Sequence, residues 1–216
     1  MTKDGLSFIV GTFVITAAIW LGWYVFPNPF VLVLALIFSF FSLFNLWFFR
    51  DPERNFSGDE NDIISPADGT VIKIDRVYDD EYFKKEVTLV SVFMSVFNVH
   101  VNRFPVSGKV DYFDYRKGKF KAAFNHLASA ENEQTVIGIK SDKGKVLFKQ
   151  VAGLIARRII CRAKIGDSAV RGERFGMIRY GSRVDLYFED NVTVKVKMKQ
   201  KVTAGETVIA SFISDK

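Results

Sequence analysis

Phe175-Gly176-Met177-Ile178-Arg179-Tyr180-Gly181-Ser182-Arg183-Val184-Asp185-Leu186-Tyr187 sets two β-like runs on either side of a Gly-Ser pair. Apolar residues spaced two apart, as at Val184 and Leu186, are the signature of a strand with one face in a core. Between the runs, glycine allows close approach to a carbonyl and serine supplies a hydroxyl, the minimum for an N→O acyl shift. Most Gly-Ser pairs are ordinary turns, so the meaning of this one depends on the chain around it.

Working outward, short alternating runs punctuated by turns fill residues 63–216. Ser65-Pro66-Ala67-Asp68-Gly69 is a turn signal, followed by the strand-like Thr70-Val71-Ile72-Lys73-Ile74. Further strands are expected at Val87–Phe97, Val99–Phe104, Val110–Tyr115, Thr135–Lys140, Val146–Val151 and Ile159–Lys164, with one short helical stretch near Lys121–Leu127. Gly166-Asp167, Gly172-Glu173 and Gly205-Glu206 sit between β-branched residues, as tight β-turns in sandwiches and flattened barrels require. A mostly β domain follows, a β-sandwich or flattened barrel.

Ahead of it lies a different physical regime. Residues 6–26 and 30–49 are uncharged, and Lys3 and Asp4 are the only charges in the first 49 residues. At helical rise each run is about long enough to cross a bilayer, and Pro27-Asn28-Pro29 separates them. Trp20, Trp23, Tyr24 and Trp47 lie near segment ends, where interfacial anchors belong. Residues 1–50 are therefore expected to form a helical membrane anchor and residues 51–216 the functional domain. Lys3, Arg50 and Arg54 place that domain at the cytoplasmic face of the cell membrane.

The net charge of +6 and pI near 9.3 come from basic residues scattered through β-like runs, which argues against nucleic acid and for anionic lipid. One cysteine, Cys161 in an apolar run, rules out disulfides within the chain. His100 and His126 lack the spacing of a zinc site, so no metal is expected.

Ser65 to Gly69, Asn98-Val99-His100-Val101-Asn102-Arg103-Phe104-Pro105-Val106-Ser107-Gly108, Asn132-Glu133, Ala152-Gly153-Leu154-Ile155-Ala156-Arg157-Arg158 and Phe175 to Ser182 occur in an order that resembles the phosphatidylserine decarboxylases, in their short, archaeal-type form. The resemblance covers residues 50–216 and extends to the hydrophobic N-terminal segment. It implies an enzyme that makes its own cofactor. Ser182 attacks the carbonyl of Gly181, and β-elimination then releases fragments 1–181 and 182–216, which stay associated. Position 182 is left as a pyruvoyl group that forms a Schiff base with the amine of phosphatidylserine. Carbon dioxide leaves and phosphatidylethanolamine results, at a membrane and without a metal. A homodimer is compatible with this.

The resemblance also assigns roles. Asp68 takes part in self-cleavage, orienting or charging a histidine base, and His100 is the general acid/base. Longer relatives carry two histidines three apart before a Pro-x-x-Gly turn; here His100 takes the first position and Arg103 the second. Arginine is no base at neutral pH, so either His100 serves twice or His126 supplies one of the two roles. Arg157, Arg158 and Arg183 are candidate partners for the headgroup's phosphate or carboxylate. Phe93, Met94 and Phe97 are expected in the core. Two other readings stay open: a membrane-tethered, lipoyl-like β-sandwich adaptor without catalysis, and a pyruvoyl decarboxylase of another serine-headed lipid.

Overall fold

The structure, a computed structural model, describes residues 1–118, 132–153, 159–179 and 181–213. Residues 1–53 and 54–216 form two compact units.

The first unit is a pair of antiparallel helices, α1 (Lys3–Val25) and α2 (Pro29–Phe48). Thr2 caps α1 by accepting from the Gly5 N–H, and Asn28 caps α2 by accepting from the Phe30 N–H, with Pro29 in the first turn. Polar contacts link the two helices: Thr16 Oγ1 to Ser42 Oγ at 2.9 Å and Trp20 Nε1 to Ser39 Oγ at 3.0 Å. Gly5 is required, because a Cβ there would lie 2.3 Å from the Phe49 ring. Phe13, Val14, Leu21, Phe30, Leu36, Phe40 and Leu43 face outward, and both helices are long and apolar enough to cross a membrane.

The second unit is mostly β, as expected, with fourteen strands among the described residues. They are β1 (Asp62–Ile64), β2 (Gly69–Asp79), β3 (Lys85–Met94), β4 (Val101–Arg103), β5 (Gly108–Arg116), β6 (Gln134–Ser141), β7 (Gly144–Ala152), β8 (Ile159–Cys161), β9 (Ser168–Ala169), β10 (Arg174–Ile178), β11 (Ser182–Phe188), β12 (Val192–Val194), β13 (Lys201–Val202) and β14 (Val208–Phe212). Eight of them form one antiparallel sheet in the order β13-β2-β3-β11-β7-β6-β5-β9, curled into a half-barrel. Register shifts at Val71/Lys73 in β2 and Val110/Tyr112 in β5 supply local bends. Two three-stranded sheets, β4-β10-β8 and β1-β14-β12, share its core, in which Val92, Phe148 and Leu186 pack with Phe175, Ile178, Ile209 and Phe212. The other face of the large sheet carries a smaller cluster of Val87, Leu89, Val136, Leu147 and Tyr187.

Strand β11 lies between β3 and β7, and all seven of its residues are buried. Val184, Leu186 and Phe188 point into the main core, whereas Arg183, Asp185 and Tyr187 alternate onto the other face. Arg183, expected as a headgroup partner, is buried and ion-paired with Asp185: Nη2 donates to Oδ2 at 3.1 Å, and Nε lies 2.9 Å from Oδ1. The ion pair is buried on the sheet face opposite the main core, on a strand flanked by β3 and β7. Phe97 departs from expectation in the opposite sense: it is 68% exposed, whereas Met94 is buried and Phe93 is half-buried. The short helical stretch expected at Lys121–Leu127 lies outside the described residues.

Glu81, between β2 and β3, accepts from Arg116 Nη1 at 2.8 Å and Lys149 Nζ at 3.0 Å, tying β5 and β7 to the β2–β3 connection. Burial disfavours its charge, but the two cations prevail and hold its carboxyl below the ordinary 4.5. A depressed folded-state value contributes stability above the unfolded value, which is lost as pH falls through the folded one. Glu81→Gln is therefore expected to destabilise the domain by about 1–3 kcal/mol near neutral pH. Thermal melts across pH should show the gap to wild type closing as the pH falls below the ordinary 4.5 of a glutamate.

Candidate active site

Ser182 opens β11, paired with Met94 of β3 on one side and Ala152 of β7 on the other. Its side chain is fully buried, and Oγ lies 3.3 Å from Met94 Sδ. Gly181 has φ +73°, the left-handed region that glycine enters without strain. Among the described residues a Cβ there would meet nothing nearer than 4.0 Å, so the conformation rather than crowding by them calls for glycine.

His100 is fully buried at the start of β4, held by a tight turn in which Asn98 Oδ1 accepts from both the N–H and Oγ of Ser95. The same turn presents Phe97 to the outside. The Asn98 carbonyl can only accept, so His100 Nδ1, 3.0 Å away, carries a proton. Nε2 accepts from the Gly181 N–H at 3.2 Å. The hydrogen-bond network thus assigns a neutral imidazole with its Nε2 lone pair directed at the amide that precedes the Gly181–Ser182 bond.

Asp68 and Ser182 stand at the same end of the large sheet, on either side of β3, since Thr70 pairs with Phe93 and Ser182 with Met94. One strand between them implies a backbone separation of about 10 Å. Asp68 Oδ1 accepts from the Ala204 N–H at 2.8 Å, and Oδ2 pairs with Arg54 at 3.4 Å. These bonds, rather than one to His100, fix the carboxylate. It could not be read from the sequence that Arg54, also paired with Glu206 at 3.2 Å, would be its counter-ion. Arg103 is buried, with Nη1 donating to the Gly172 carbonyl at 2.8 Å, which is a structural bond and no base.

Asn132 and Glu133, plain loop candidates by sequence, border the same end: Asn132 Nδ2 donates to the Ala152 carbonyl at 2.7 Å, and Ala152 N–H donates to the Glu133 carbonyl at 2.9 Å. Buried beneath Ser182 is a polar chain unmarked in the sequence analysis, Thr135 Oγ1 to Gln150 Oε1 at 2.6 Å and Gln150 Nε2 to Asn102 Oδ1 at 2.8 Å. The available signal was Gln150, a polar residue on the inward repeat Val146, Phe148, Gln150, Ala152. His126, Arg157 and Arg158 lie outside the described residues. Among the described residues no group of three or more His, Cys, Asp and Glu side chains could hold a metal ion. Burial pushes the Cys161 thiol up to about 11, so it is a protonated packing residue near neutral pH.

Polar groups gather deep in a β core around one Gly-Ser bond, which makes this end of the sheet the candidate active site of a β domain. Comparison with known proteins gives its family. The family model described as phosphatidylserine decarboxylase matches residues 41–210. The chain is 46% identical over 210 residues to a phosphatidylserine decarboxylase proenzyme of Geobacter metallireducens, covering 97% of this chain and 95% of the relative. It is 43% identical over 212 residues to the proenzyme of Chlorobium luteolum, covering 98% and 100%. With the proenzyme of a Wolbachia from Brugia malayi the figure is 42% over 218 residues, covering 98% and 91%. The chain belongs to the phosphatidylserine decarboxylase family and is a carboxy-lyase.

Proposed function

We propose that this chain is the precursor of a pyruvoyl-dependent enzyme that converts phosphatidylserine to phosphatidylethanolamine and carbon dioxide, and that it cuts itself between Gly181 and Ser182. The observation that carries the cut is the geometry at that bond: a left-handed glycine, a buried serine hydroxyl and an imidazole lone pair on the adjoining amide. The relatives' shared designation as proenzymes agrees with it.

For the cut, His100 Nε2 gives up its bond from the Gly181 N–H and takes the hydroxyl proton, which leaves Met94 Sδ as Ser182 Oγ bonds to the Gly181 carbonyl carbon. The C–N bond then breaks, leaving an ester and a free amine. Loss of the Ser182 Cα proton and cleavage of the Cβ–Oγ bond give Gly181 a terminal carboxylate. Water replaces the nitrogen, which departs as ammonia, leaving a pyruvoyl group at position 182. Position 182 fits such a group, being fully buried against Met94 and shielded from water. Its ketone supplies an electron sink as the substrate's carboxyl group leaves.

Fragments 1–181 and 182–216 stay together because β11 is hydrogen-bonded along its length to β3 and β7, both in the long fragment. Residues 1–50 anchor the enzyme in the membrane, supported by the outward apolar faces of α1 and α2, with the catalytic domain on the cytoplasmic side. Arg157 and Arg158 are the remaining candidates for the headgroup anion.

Mass spectrometry of the purified protein tests this. Wild type should yield two fragments meeting at Gly181 and Ser182, and hydroxylamine should abolish carbon dioxide release from phosphatidylserine. An intact chain with full activity, indifferent to hydroxylamine, would overturn the proposal.

A further inference from the structure

We infer that Asn102 is a positioning residue for self-cleavage, acting on Ser182 through Met94; this rests on the self-cleavage reading above. Asn102 lies on β4, two residues beyond His100, and is fully buried. Its two ends are unequally held. Oδ1 accepts a 2.8 Å bond from Gln150 Nε2, and Gln150 is itself locked by Thr135 Oγ1 at 2.6 Å. Nδ2 makes two long contacts, to the Pro66 carbonyl at 3.4 Å and to Met94 Sδ at 3.8 Å.

The same sulfur is the hydrogen-bond partner of Ser182 Oγ at 3.3 Å. Met94 therefore stands between a fixed amide and the hydroxyl of the bond to be cut. Pro66 belongs to the turn that carries Asp68, so the amide also braces the carboxylate side of the site.

Core stability gives no reason for this arrangement. Gln150 and Thr135 occupy inward positions whose neighbours on the same strands, Phe148 and Ile137, belong to the apolar core cluster. A buried polar chain contributes little net stability over apolar residues of the same shape, but it fixes orientation. The object oriented is the thioether, a flexible side chain that would otherwise have several rotamers. With its sulfur set by Asn102, the Ser182 hydroxyl is held in one rotamer beside the Gly181 carbonyl. Misplacement of a reacting group by about 1 Å can cost on the order of 10²-fold in rate.

The test follows fragment appearance over time in the full-length chain synthesised in the presence of phospholipid vesicles. Replacing both bonded amides, Asn102→Leu with Gln150→Leu, removes the chain without orphaning a partner amide and leaves only the Thr135 hydroxyl without its acceptor, so the melting temperature should fall by no more than about 10 °C. Cleavage should slow by about 10–100-fold. Met94→Leu, which conserves volume, should slow it similarly, and adding it to the double variant should slow it no further. A well-folded double variant or Met94→Leu that cleaves at the wild-type rate would overturn the inference, as would effects that multiply in the triple variant. If the double variant does not fold, Met94→Leu decides alone. Wild type that never splits between Gly181 and Ser182 instead refutes the self-cleavage reading.

Discussion

Ser182→Ala is expected to leave the 216-residue chain in one piece and without decarboxylase activity. The hydroxyl's partner is a thioether sulfur, so its removal should change stability by less than about 1 kcal/mol. The variant should therefore fold, and the loss is chemical. Removing a serine nucleophile elsewhere costs on the order of 10⁶ in rate, which here means no detectable fragment. Denaturing electrophoresis and carbon dioxide release, measured on the same preparation, check both parts. Fragments 1–181 and 182–216 in the alanine variant would show that another group attacks the chain. Ser182→Cys retains a nucleophile and should cleave slowly, which separates loss of the attacking atom from disturbance of the site.

His100→Gln should slow cleavage by about 10²–10⁴-fold, the usual range for a lost general base. Glutamine retains an acceptor for the Gly181 N–H but no lone pair that takes a proton near neutral pH. Alanine is the harsher change. It leaves the part-buried Gly181 N–H without its acceptor, at a further cost of up to about 1 kcal/mol, and opens a cavity where the buried ring stood. The half-time of fragment formation in the glutamine variant is the cleaner measurement. A wild-type half-time would remove His100 as base and turn attention to His126. Because Nδ1 is tied to the Asn98 carbonyl, the Ser95–Asn98 turn becomes part of the site, and Asn98→Ala should show a weaker version of the same defect.

The helices were legible because a continuous apolar run fits only one environment, and their starts were set by Thr2 and Asn28, local features of the chain. Most strands were legible from alternation with a period of two. The C-terminal β14 was not, because its partners are β1, about 150 positions away, and β12, and nothing local marks that pairing. Within the site, Gly181, Ser182, His100 and Asp68 stood out through the order of their motifs, which resembles a known family, since each alone fits an ordinary turn or core position. Their partners did not. Arg54 meets Asp68 only because the chain before β1 returns to the turn at residues 203–206.

Two residues show where pattern and environment part. Arg183 follows Ser182 and carries the charge a headgroup would seek, yet alternation on a central strand buries it against Asp185. Phe97 continues an apolar run, yet the Asn98-capped turn that seats His100 holds it outward.

The sequence by itself determined the two regimes of the chain and the β character expected of residues 51–216, because these depend on composition and period; it pointed to the Gly181–Ser182 bond only through the resemblance of its ordered motifs to a known family. Tertiary structure alone decided what surrounds that bond: Met94 on the hydroxyl, His100 on the amide, Arg54 on Asp68 and the Asn102–Gln150–Thr135 chain beneath. These contacts join residues on different strands and loops, many of them distant in sequence. Only the register of β2, β3, β11 and β7, with β4 sharing their core, fixes which side chains meet.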